Sequence, residues 1–259
     1  MTQLPLLNGR TMPALGLGTW DLRGSACTSA VKQALALGYR HIDTAEMYGN
    51  ESEIAKGIAA SGAARGDLFI TTKVWTNHHR AKDFLAAAEA SLKRLGTDYV
   101  DLLLIHWPNE AVPLEETLGA LCRLAKDGKA LAVGVSNFST ELLQKALALA
   151  DAPLSCDQVP YSLPENQDKL LAFTRPKKIV VCAYTPLGRG GFLGRAELKE
   201  TAKKHGKTPA QVALRWLIQQ EGVAAIPKAS GEKHLRENLD IFDFSLDAGD
   251  LKLLAALRT

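Results

Sequence analysis

Apolar and polar positions alternate along this chain in two recurring patterns. In one, apolar residues return at helical spacing, as in the stripes Phe84, Leu85, Ala88, Leu92, Leu95 and Leu114, Leu118, Leu121, Ala125. This spacing is typical of helices with one buried face. In the other, short runs rich in Val, Ile and Leu lie between those stretches, as buried strands do. Strands and helices are therefore expected to alternate from end to end.

Several expected element boundaries carry their own signals. Gly38, Gly96 and Gly128 fall where three helices should stop, because glycine adopts the left-handed conformation that ends helices. The segment Thr208-Pro209-Ala210-Gln211 has the pattern of a capping box with proline at the first helical position. Asn8-Gly9, within the segment 6–11, predicts a tight turn, so a small β-hairpin should open the chain.

Eight further strands are expected after the hairpin. They are Ala14–Gly18, His41–Asp43, Phe69–Lys73, Val100–His106, Ala130–Ser136, Ser155–Val159, Val180–Tyr184 and Ala224–Pro227. Repeated strand–helix units indicate an α/β fold, and both a closed (β/α)8 TIM barrel and an open doubly wound sheet fit the pattern. We favour the barrel, partly because Gly16 and Gly18 are only the first two glycines of a dinucleotide-binding G-x-G-x-x-G. No linker divides the chain, so we expect one domain over residues 1–259.

Composition narrows the class of protein. The chain has 259 residues, 46% of them hydrophobic, and a mild net charge of +3 without any run of Lys or Arg, so nucleic-acid binding is not expected. We see no secretory leader in residues 1–10 and no apolar run long enough to span a membrane. The four scattered cysteines fit a reducing compartment without disulfides or a metal framework. We expect a cytoplasmic monomer.

Three of the expected strands stop on a polar residue that can take part in proton transfer or carry a charge. One run ends on Asp43, with Tyr48 five residues later, another on Lys73 and a third on His106. Because the carboxyl ends of parallel strands meet at one edge, these side chains should converge. Convergence from several strands, rather than at one crevice, is the second reason to favour the barrel.

The four residues form a coherent chemical set. A phenol has a pKa of about 10 in water, and the Lys73 ammonium is expected to lower the pKa of Tyr48. The buried ammonium needs a carboxylate, which Asp43 can supply. His106 can orient a carbonyl oxygen while Tyr48 protonates it. No side chain donates hydride, so a nicotinamide cofactor is required.

Each residue also has an ordinary structural explanation. An aspartate at a strand end can cap a helix, a buried lysine can be an ion-pair partner, and His106 can be a core histidine. Their joint position at successive strand ends favours catalysis over these alternatives. The sequence therefore predicts a carbonyl reductase.

The chain resembles the aldo-keto reductases, and among them the small bacterial 2,5-diketogluconate and methylglyoxal reductases. The matching segments run in family order over nearly the whole length. They are 15–20, 38–45 with 48–51, 72–75, 104–108, 134–138, 184–188, 226–228 and 237–244. The resemblance implies a (β/α)8 barrel, NADPH as cofactor, and a small-molecule carbonyl substrate. It also implies that Asp43, Tyr48, Lys73 and His106 are the catalytic tetrad.

The resemblance also implies a set of cofactor contacts. Thr19, Trp20 and Asp43 are expected to touch the cofactor, Ser136, Asn137 and Gln158 to bind the carboxamide, and Tyr184 to stack on the nicotinamide. Core packing is the alternative for Tyr184. Backbone amides of Thr185, Pro186, Leu187 and Gly188 are expected to line the pyrophosphate. The ribose phosphate and adenine are assigned to Lys228, Ala229, Ser230, His234, Glu237 and Asn238.

Aromatic residues after three strands suggest a substrate wall. We expect substrate to contact Tyr48 and His106 together with Trp20, Trp75 and Trp107, although the tryptophans could instead pack the barrel rim. The adjacent His78 and His79 lack further metal ligands nearby, so we expect a solvated loop and no metal.

Two departures from the family pattern carry expectations of their own. His234 occupies a position where NADPH-dependent relatives often have Arg, and Ala229 stands where they often have Ser, so NADH could also be accepted. The sequence ends at Thr259, directly after the helical run 250–258, where family members usually continue into a tail across the barrel mouth. The segment 185–195 is short and rich in glycine, so we expect an open, permissive substrate site.

Two rival functions fit parts of the pattern. A lyase or aldolase would use Lys73 as a Schiff-base nucleophile, but a neighbouring Asp43 holds the lysine charged. A cofactor-binding sensor, like the channel β-subunits related to the reductases, would not need the intact tetrad. We therefore favour NAD(P)H-dependent reduction of small aldehydes and ketones, 2-oxoaldehydes or keto-sugars included.

Overall fold

A hairpin and a sheet of eight parallel strands make up the β structure. The structure is a computed structural model that describes residues 2–258, so Met1 and Thr259, the two ends of the expected domain, lie outside the described residues. The hairpin pairs β1 (Gln3–Pro5) with β2 (Thr11–Pro13) in antiparallel fashion. The sheet contains β3 (Leu17–Gly18), β4 (His41–Asp43), β5 (Phe69–Val74), β6 (Val100–Ile105), β7 (Ala130–Ser136), β8 (Leu154–Pro160), β9 (Val180–Tyr184) and β10 (Val223–Ala225).

Helices follow most of the strands. They are α1 (Gly24–Leu37), α2 (Glu51–Ser61), α3 (Ala81–Leu95), α4 (Leu114–Lys126), α5 (Thr140–Leu149), α6 (Asp168–Thr174), α7 (Ala196–His205), α8 (Pro209–Ile218), α9 (Glu232–Leu239) and α10 (Ala248–Leu254). The order in the sheet is the order in the chain, β3 to β10, with every neighbouring pair parallel. Each strand therefore presents its carboxyl end on the same side of the sheet.

The first and last strands of this series are also connected. The Gly16 N–H donates to the Ala225 carbonyl at 2.9 Å, and the Gly18 N–H donates to the Pro227 carbonyl at 3.1 Å. A Cβ on Gly18 would lie only 2.5 Å from the Ile226 carbonyl oxygen, so this close approach requires glycine. β3 and the segment around β10 are thereby brought side by side.

The helix-end signals of the sequence are confirmed. Gly38 and Gly96 directly follow α1 and α3 with φ of 107° and 66°, and Gly128 comes one residue later than expected after α4. Thr208 and Gln211 form the reciprocal capping box at α8, with Pro209 at its first turn. Because these signals act within a few residues, sequence alone is enough to locate them.

The expected strands are present, most of them with small shifts of their ends, but the first is Leu17–Gly18 instead of Ala14–Gly18. β5 continues one residue past Lys73, to Val74, and His106 comes directly after β6 rather than inside it. β10 is Val223–Ala225 instead of Ala224–Pro227. Backbone hydrogen bonds determine where a strand ends, and the pattern of side chains along the sequence does not reveal them.

Candidate active site

The four candidate catalytic residues lie together at the carboxyl ends of β4, β5 and β6. Asp43 ends β4, and Tyr48 closes a short 3₁₀ turn, Glu46–Tyr48, that follows it. Lys73 is the last but one residue of β5, with its side chain fully buried. Parallel register sets Lys73 opposite Leu104, two residues before His106. Neighbouring strands therefore bring together groups that are far apart in sequence.

Lys73 is the centre of this cluster. Its Nζ donates to Asp43 Oδ1 at 2.6 Å, to the Thr44 carbonyl at 2.9 Å and to Tyr48 Oη at 3.4 Å. Burial alone lowers the pKa of Lys73, but Asp43 and Tyr48 raise it by more, so its pKa lies above the usual value. The lysine is thus a buried, fully paired ammonium that faces the phenol.

The pKa of Tyr48 is shifted in the direction opposite to the one expected. Burial raises the pKa of Tyr48, and the opposing effect of Lys73 does not outweigh it. Lys73 does lower the pKa of Tyr48 as expected, but the expectation of a net lowering was wrong, because it left out the loss of water around the phenol. Tyr48 therefore carries its proton at neutral pH and can donate it.

His106 lies against two aromatic rings at the site. Its ring meets Tyr48 edge-on at 5.6 Å between centroids and Trp75 at 4.9 Å. Burial, followed by the charges of Lys73 and His79, lowers the pKa of His106 from 6.5 to about 3. Its Nδ1 is buried without a hydrogen-bond partner. The imidazole is therefore neutral, and a neutral ring that donates a hydrogen bond from Nε2 leaves only a lone pair on Nδ1.

Two residues next to Tyr48 hold the cluster in place, and sequence reasoning did not assign them this part. Buried Asn50 donates to the carbonyls of Thr19 and Leu22 at 2.9 and 3.1 Å and accepts from Thr44 Oγ1 at 2.8 Å. It thus connects the loops after β3 and β4. The signal was present, since Asn50 belongs to the segment 48–51 on which the family resemblance rests.

Glu51 acts in the same way on the next strand. Its fully buried carboxylate accepts from Thr72 Oγ1 at 2.7 Å and from Arg94 Nε at 2.7 Å. Thr72 precedes Lys73, so Glu51 fixes the strand that carries the ammonium. Removing Arg94 or Thr72 would leave the buried Glu51 carboxylate without one of its partners, which would destabilise this part of the site.

The residues expected at the nicotinamide form one connected network beside the tetrad. Gln158 Nε2 donates to Asp43 Oδ2 at 2.7 Å, and Ser136 Oγ donates to the Gln158 carbonyl at 2.7 Å. Tyr184 Oη donates to Asn137 Oδ1 at 2.7 Å, while Asn137 Nδ2 donates to the His106 carbonyl at 2.9 Å. The backbone of Asn137 adopts the left-handed conformation, with φ of 64°. This network fixes the half-buried Tyr184 ring close to the tetrad.

The expected pyrophosphate segment has fewer free amides than the sequence suggested. Pro186 has no N–H, and the Gly188 N–H already donates to the Thr185 carbonyl at 2.9 Å. The contact of this segment with a pyrophosphate stays a prediction, in which Pro186 and Gly188 would not take part through a free amide. Thr185 is itself left-handed, with φ of 49°, which is unusual for a β-branched residue and indicates local strain.

The residues expected at the ribose phosphate and adenine lie in the segment after β10 and on α9. Lys228, Ser230 and His234 are exposed, whereas Ala229 and Asn238 are buried. Glu237 accepts from Thr208 Oγ1 at 2.6 Å and lies 3.4 Å from His234 Nδ1. Arg236, two residues after His234, pairs with Glu232 at 2.6 Å.

The loop that follows β3 places Thr19 and Trp20 differently. Thr19 is buried, and its hydroxyl donates to the Asp43 carbonyl at 2.9 Å, so its side chain supports the site from within. Trp20 is 49% exposed, with the guanidinium of Arg189 5.5 Å from its ring centroid. The segment that carries Arg189 helps to line a cavity of about 620 Å³ next to Tyr184.

Three large hydrophobic side chains are exposed on loops that follow β3, β4 and β6. Two are the expected Trp20 and Trp107, the latter 43% exposed, and the third is Met47, 42% exposed, which sequence reasoning missed. Trp75 is partly buried against His106. Met47 directly precedes Tyr48 in the sequence, so its position was a signal that could have found it.

The two adjacent histidines do not form a uniformly solvated loop. His78 is partly exposed, but His79 is 2% exposed, and its carbonyl accepts from Thr117 Oγ1 at 2.9 Å. The expectation was wrong for His79 because α4 covers it, a long-range contact that the local sequence does not reveal. Among residues 2–258, no group of three or more His, Cys, Asp or Glu side chains could hold a metal ion. In the same range no helix is long and apolar enough to cross a membrane.

Comparisons with known proteins agree with this geometry. The profile described as "Aldo/keto reductase family" matches residues 14–259. Glyoxal reductase of Bacillus subtilis (strain 168) is 43% identical over 254 residues, which cover 98% of this chain and 91% of that protein. Methylglyoxal reductase DkgB of Escherichia coli O157:H7 is 40% identical, with 95% and 93% covered.

A solved structure extends the likeness to three dimensions. The Bombyx mori aldo-keto reductase in complex with NADP superposes with a TM-score of 0.92 at 30% identity, over 99% of this chain and 92% of that one. The superposed region covers nearly all of this chain, including the strands that carry Asp43, Lys73 and His106. The chain therefore belongs to the aldo/keto reductase family, a family of oxidoreductases.

Proposed function

We propose that this protein reduces small aldehydes and ketones, including 2-oxoaldehydes and keto-sugars, to alcohols with NADPH. The observation that carries the proposal is the buried contact of Lys73 with both Asp43 and Tyr48. The matching relatives named glyoxal reductase and methylglyoxal reductase support the substrate class. The Bombyx mori relative, whose structure contains NADP, supports the cofactor.

Each residue of the tetrad has one task in this reaction. NADPH, when bound, supplies the hydride to the carbonyl carbon. Neutral His106 donates a hydrogen bond to the carbonyl oxygen and orients it. Tyr48 then gives its proton to that oxygen, and the Lys73 ammonium stabilises the phenolate that is left. Asp43 keeps the ammonium charged and fixed.

The residues present fit a nicotinamide cofactor. Tyr184 offers a half-buried ring whose orientation is fixed by Asn137, as stacking on a flat ring requires. Ser136, Asn137 and Gln158 are connected by hydrogen bonds beside this ring. Their hydroxyl and amide groups are of the types that donate hydrogen bonds to a carboxamide and accept them from it. Lys228 and His234 remain exposed for a ribose phosphate.

The two rival functions are less well supported. A Schiff-base enzyme needs a neutral lysine, but the pKa of Lys73 is raised by Asp43 and Tyr48. A sensor without catalysis would not need a protonated phenol 3.4 Å from a buried ammonium. Both considerations favour the reductase.

The remaining expectations become proposals about the whole molecule. We propose that the sheet closes into a (β/α)8 barrel, supported by the parallel bridges Leu15–Ala225 and Gly18–Lys228. We also propose a single domain, a monomeric state and a cytoplasmic location, consistent with four buried free cysteines. Sedimentation equilibrium should give the mass of one chain, 27.9 kDa.

A cofactor-consumption assay tests the proposed function. Purified protein is given NADPH or NADH with methylglyoxal, diketogluconate, aromatic aldehydes and simple ketones in turn. The proposal expects oxidation of NADPH that depends on both protein and carbonyl compound. No oxidation with any of these substrates would contradict it.

A further inference from the structure

We propose that Glu46 is a positioning residue that holds Trp75, on the substrate side of the site, in register with Tyr48. The inference rests on the proposed function and concerns how the site selects substrates. Glu46 opens the same 3₁₀ turn that Tyr48 closes. Whatever Glu46 holds is therefore fixed relative to the proton donor.

Both carboxylate oxygens of Glu46 reach the loop after β5. Oε2 accepts from the Trp75 backbone N–H at 3.0 Å. Oε1 lies 2.6 Å from His78 Nδ1, a close polar contact without hydrogen-bond alignment. The Glu46 side chain is only 15% exposed, so water competes weakly for these contacts. One carboxylate thus connects the Tyr48 turn to both ends of the segment 75–78.

Trp75 transmits this restraint to the substrate. Its ring lies edge-on to the imidazole of His106, 4.9 Å between centroids, and His106 is the group that would orient the carbonyl. The loop is also held by a hydrogen bond of 2.9 Å from Asn109 Nδ2 to the Thr76 carbonyl. Without Glu46 the Trp75 backbone would lose its side-chain acceptor, and the ring could turn away from His106.

The role differs from catalysis, and its consequence depends on substrate size. A bulky aromatic aldehyde extends past His106 and contacts the Trp75 ring, whereas methylglyoxal is too small to need that wall. Loss of a charge-assisted hydrogen bond should therefore raise KM for the bulky aldehyde by about tenfold and leave KM for methylglyoxal within about twofold. The affinity for NADPH should not change, because Glu46 does not contact the residues assigned to the cofactor.

The experiment compares Glu46→Ala, Glu46→Gln and Trp75→Ala with the wild type. Glu46→Gln keeps an acceptor for the Trp75 N–H and should restore most of the bulky-substrate KM. In the Trp75→Ala background, Glu46→Ala should have no further effect, because the two residues act through one contact. Glu110→Ala, a change of the same type in an exposed loop after β6, is the matched control and should leave both KM values unchanged.

Hydrogen exchange gives a readout that does not depend on activity. Peptides covering residues 75–79 should exchange faster in Glu46→Ala than in the wild type, while peptides from α8 should not change. Unchanged KM for the bulky aldehyde, an equal loss with both substrates, or additive effects with Trp75→Ala would overturn the inference. If the wild type reduces no aldehyde, the proposed function fails instead, and the exchange result still decides whether Glu46 restrains Trp75.

Discussion

Tyr48 is the residue whose loss should separate chemistry from binding. Replacing it with Phe removes the proton donor but keeps the ring that meets His106. We expect turnover to fall by at least about 100-fold, the usual worth of a general acid, with NADPH affinity nearly unchanged. Steady-state turnover and cofactor titration of the variant measure this. A variant that keeps most of its aldehyde-reducing rate would refute the role given to Tyr48.

The pKa shifts of Tyr48 and His106 predict an unusual pH dependence. His106 has its pKa lowered to about 3, so it stays neutral, and the raised pKa of Tyr48 keeps the phenol protonated. Reduction requires both forms, so kcat/KM for the aldehyde at saturating NADPH should be flat from about pH 5 to 8. It should fall only at strongly alkaline pH. A break centred near pH 6.5 would show that the imidazole titrates normally.

His234 is the residue expected to set cofactor preference. It is 69% exposed, and its Nδ1 lies 3.4 Å from Glu237. An imidazole offers a phosphate less than the bidentate guanidinium of an arginine does. We expect NADPH to be preferred but NADH to be used appreciably, and His234→Arg to increase the preference by roughly tenfold to a hundredfold. The ratio of kcat/KM values for the two cofactors measures this. A wild-type preference above about 1,000-fold that the variant leaves unchanged would show that other residues bind the phosphate.

At the scale of elements, α8 gives the clearest test of a signal read from sequence. Thr208 Oγ1 accepts from the Gln211 N–H at 3.3 Å and donates to Glu237 at 2.6 Å. Thr208→Ala removes both bonds and should cost about 1 kcal/mol of unfolding free energy. Thr208→Ser keeps the hydroxyl and is the control. Urea unfolding that gives equal losses for both variants would assign the effect to the lost methyl group.

The elements also show how far the sequence alone could go. The strands carrying Asp43 and Lys73 were predictable because apolar runs and their polar ends are local features. The pairing of Lys73 with Asp43 was predictable as well. Contacts between distant parts of the chain were not, since Gln158 reaches Asp43 across 115 positions and Thr117 covers His79 from another element. The direction of the Tyr48 pKa shift was missed for the same reason, because it depends on how completely the fold buries the phenol.

At the scale of the whole molecule, one buried carboxyl group should lower stability as pH rises. Asp157 is fully buried, neither oxygen has a hydrogen bond of normal geometry, and burial raises its pKa well above the usual 3.8. The folded protein therefore holds a proton that the unfolded chain releases above about pH 4, so stability falls as pH increases above that value.

Asp157→Asn removes this dependence because asparagine does not ionise. The variant should gain stability relative to the wild type as pH rises from about 5 to 8. Thermal unfolding of both proteins at several pH values measures the difference. A difference that does not change with pH would mean that Asp157 does not keep its proton in the folded state.

The fold, the catalytic tetrad and the family membership together support one central claim, that hydride passes to a carbonyl carbon in this site. The most direct measurement is reduction of an aromatic aldehyde with NADPH that carries deuterium at C4, followed by mass spectrometry of the alcohol. Two preparations, one for each face of the nicotinamide, should differ, with one giving deuterium on the carbinol carbon and the other giving none. Unlabelled alcohol from both preparations, or no alcohol at all, would contradict the account.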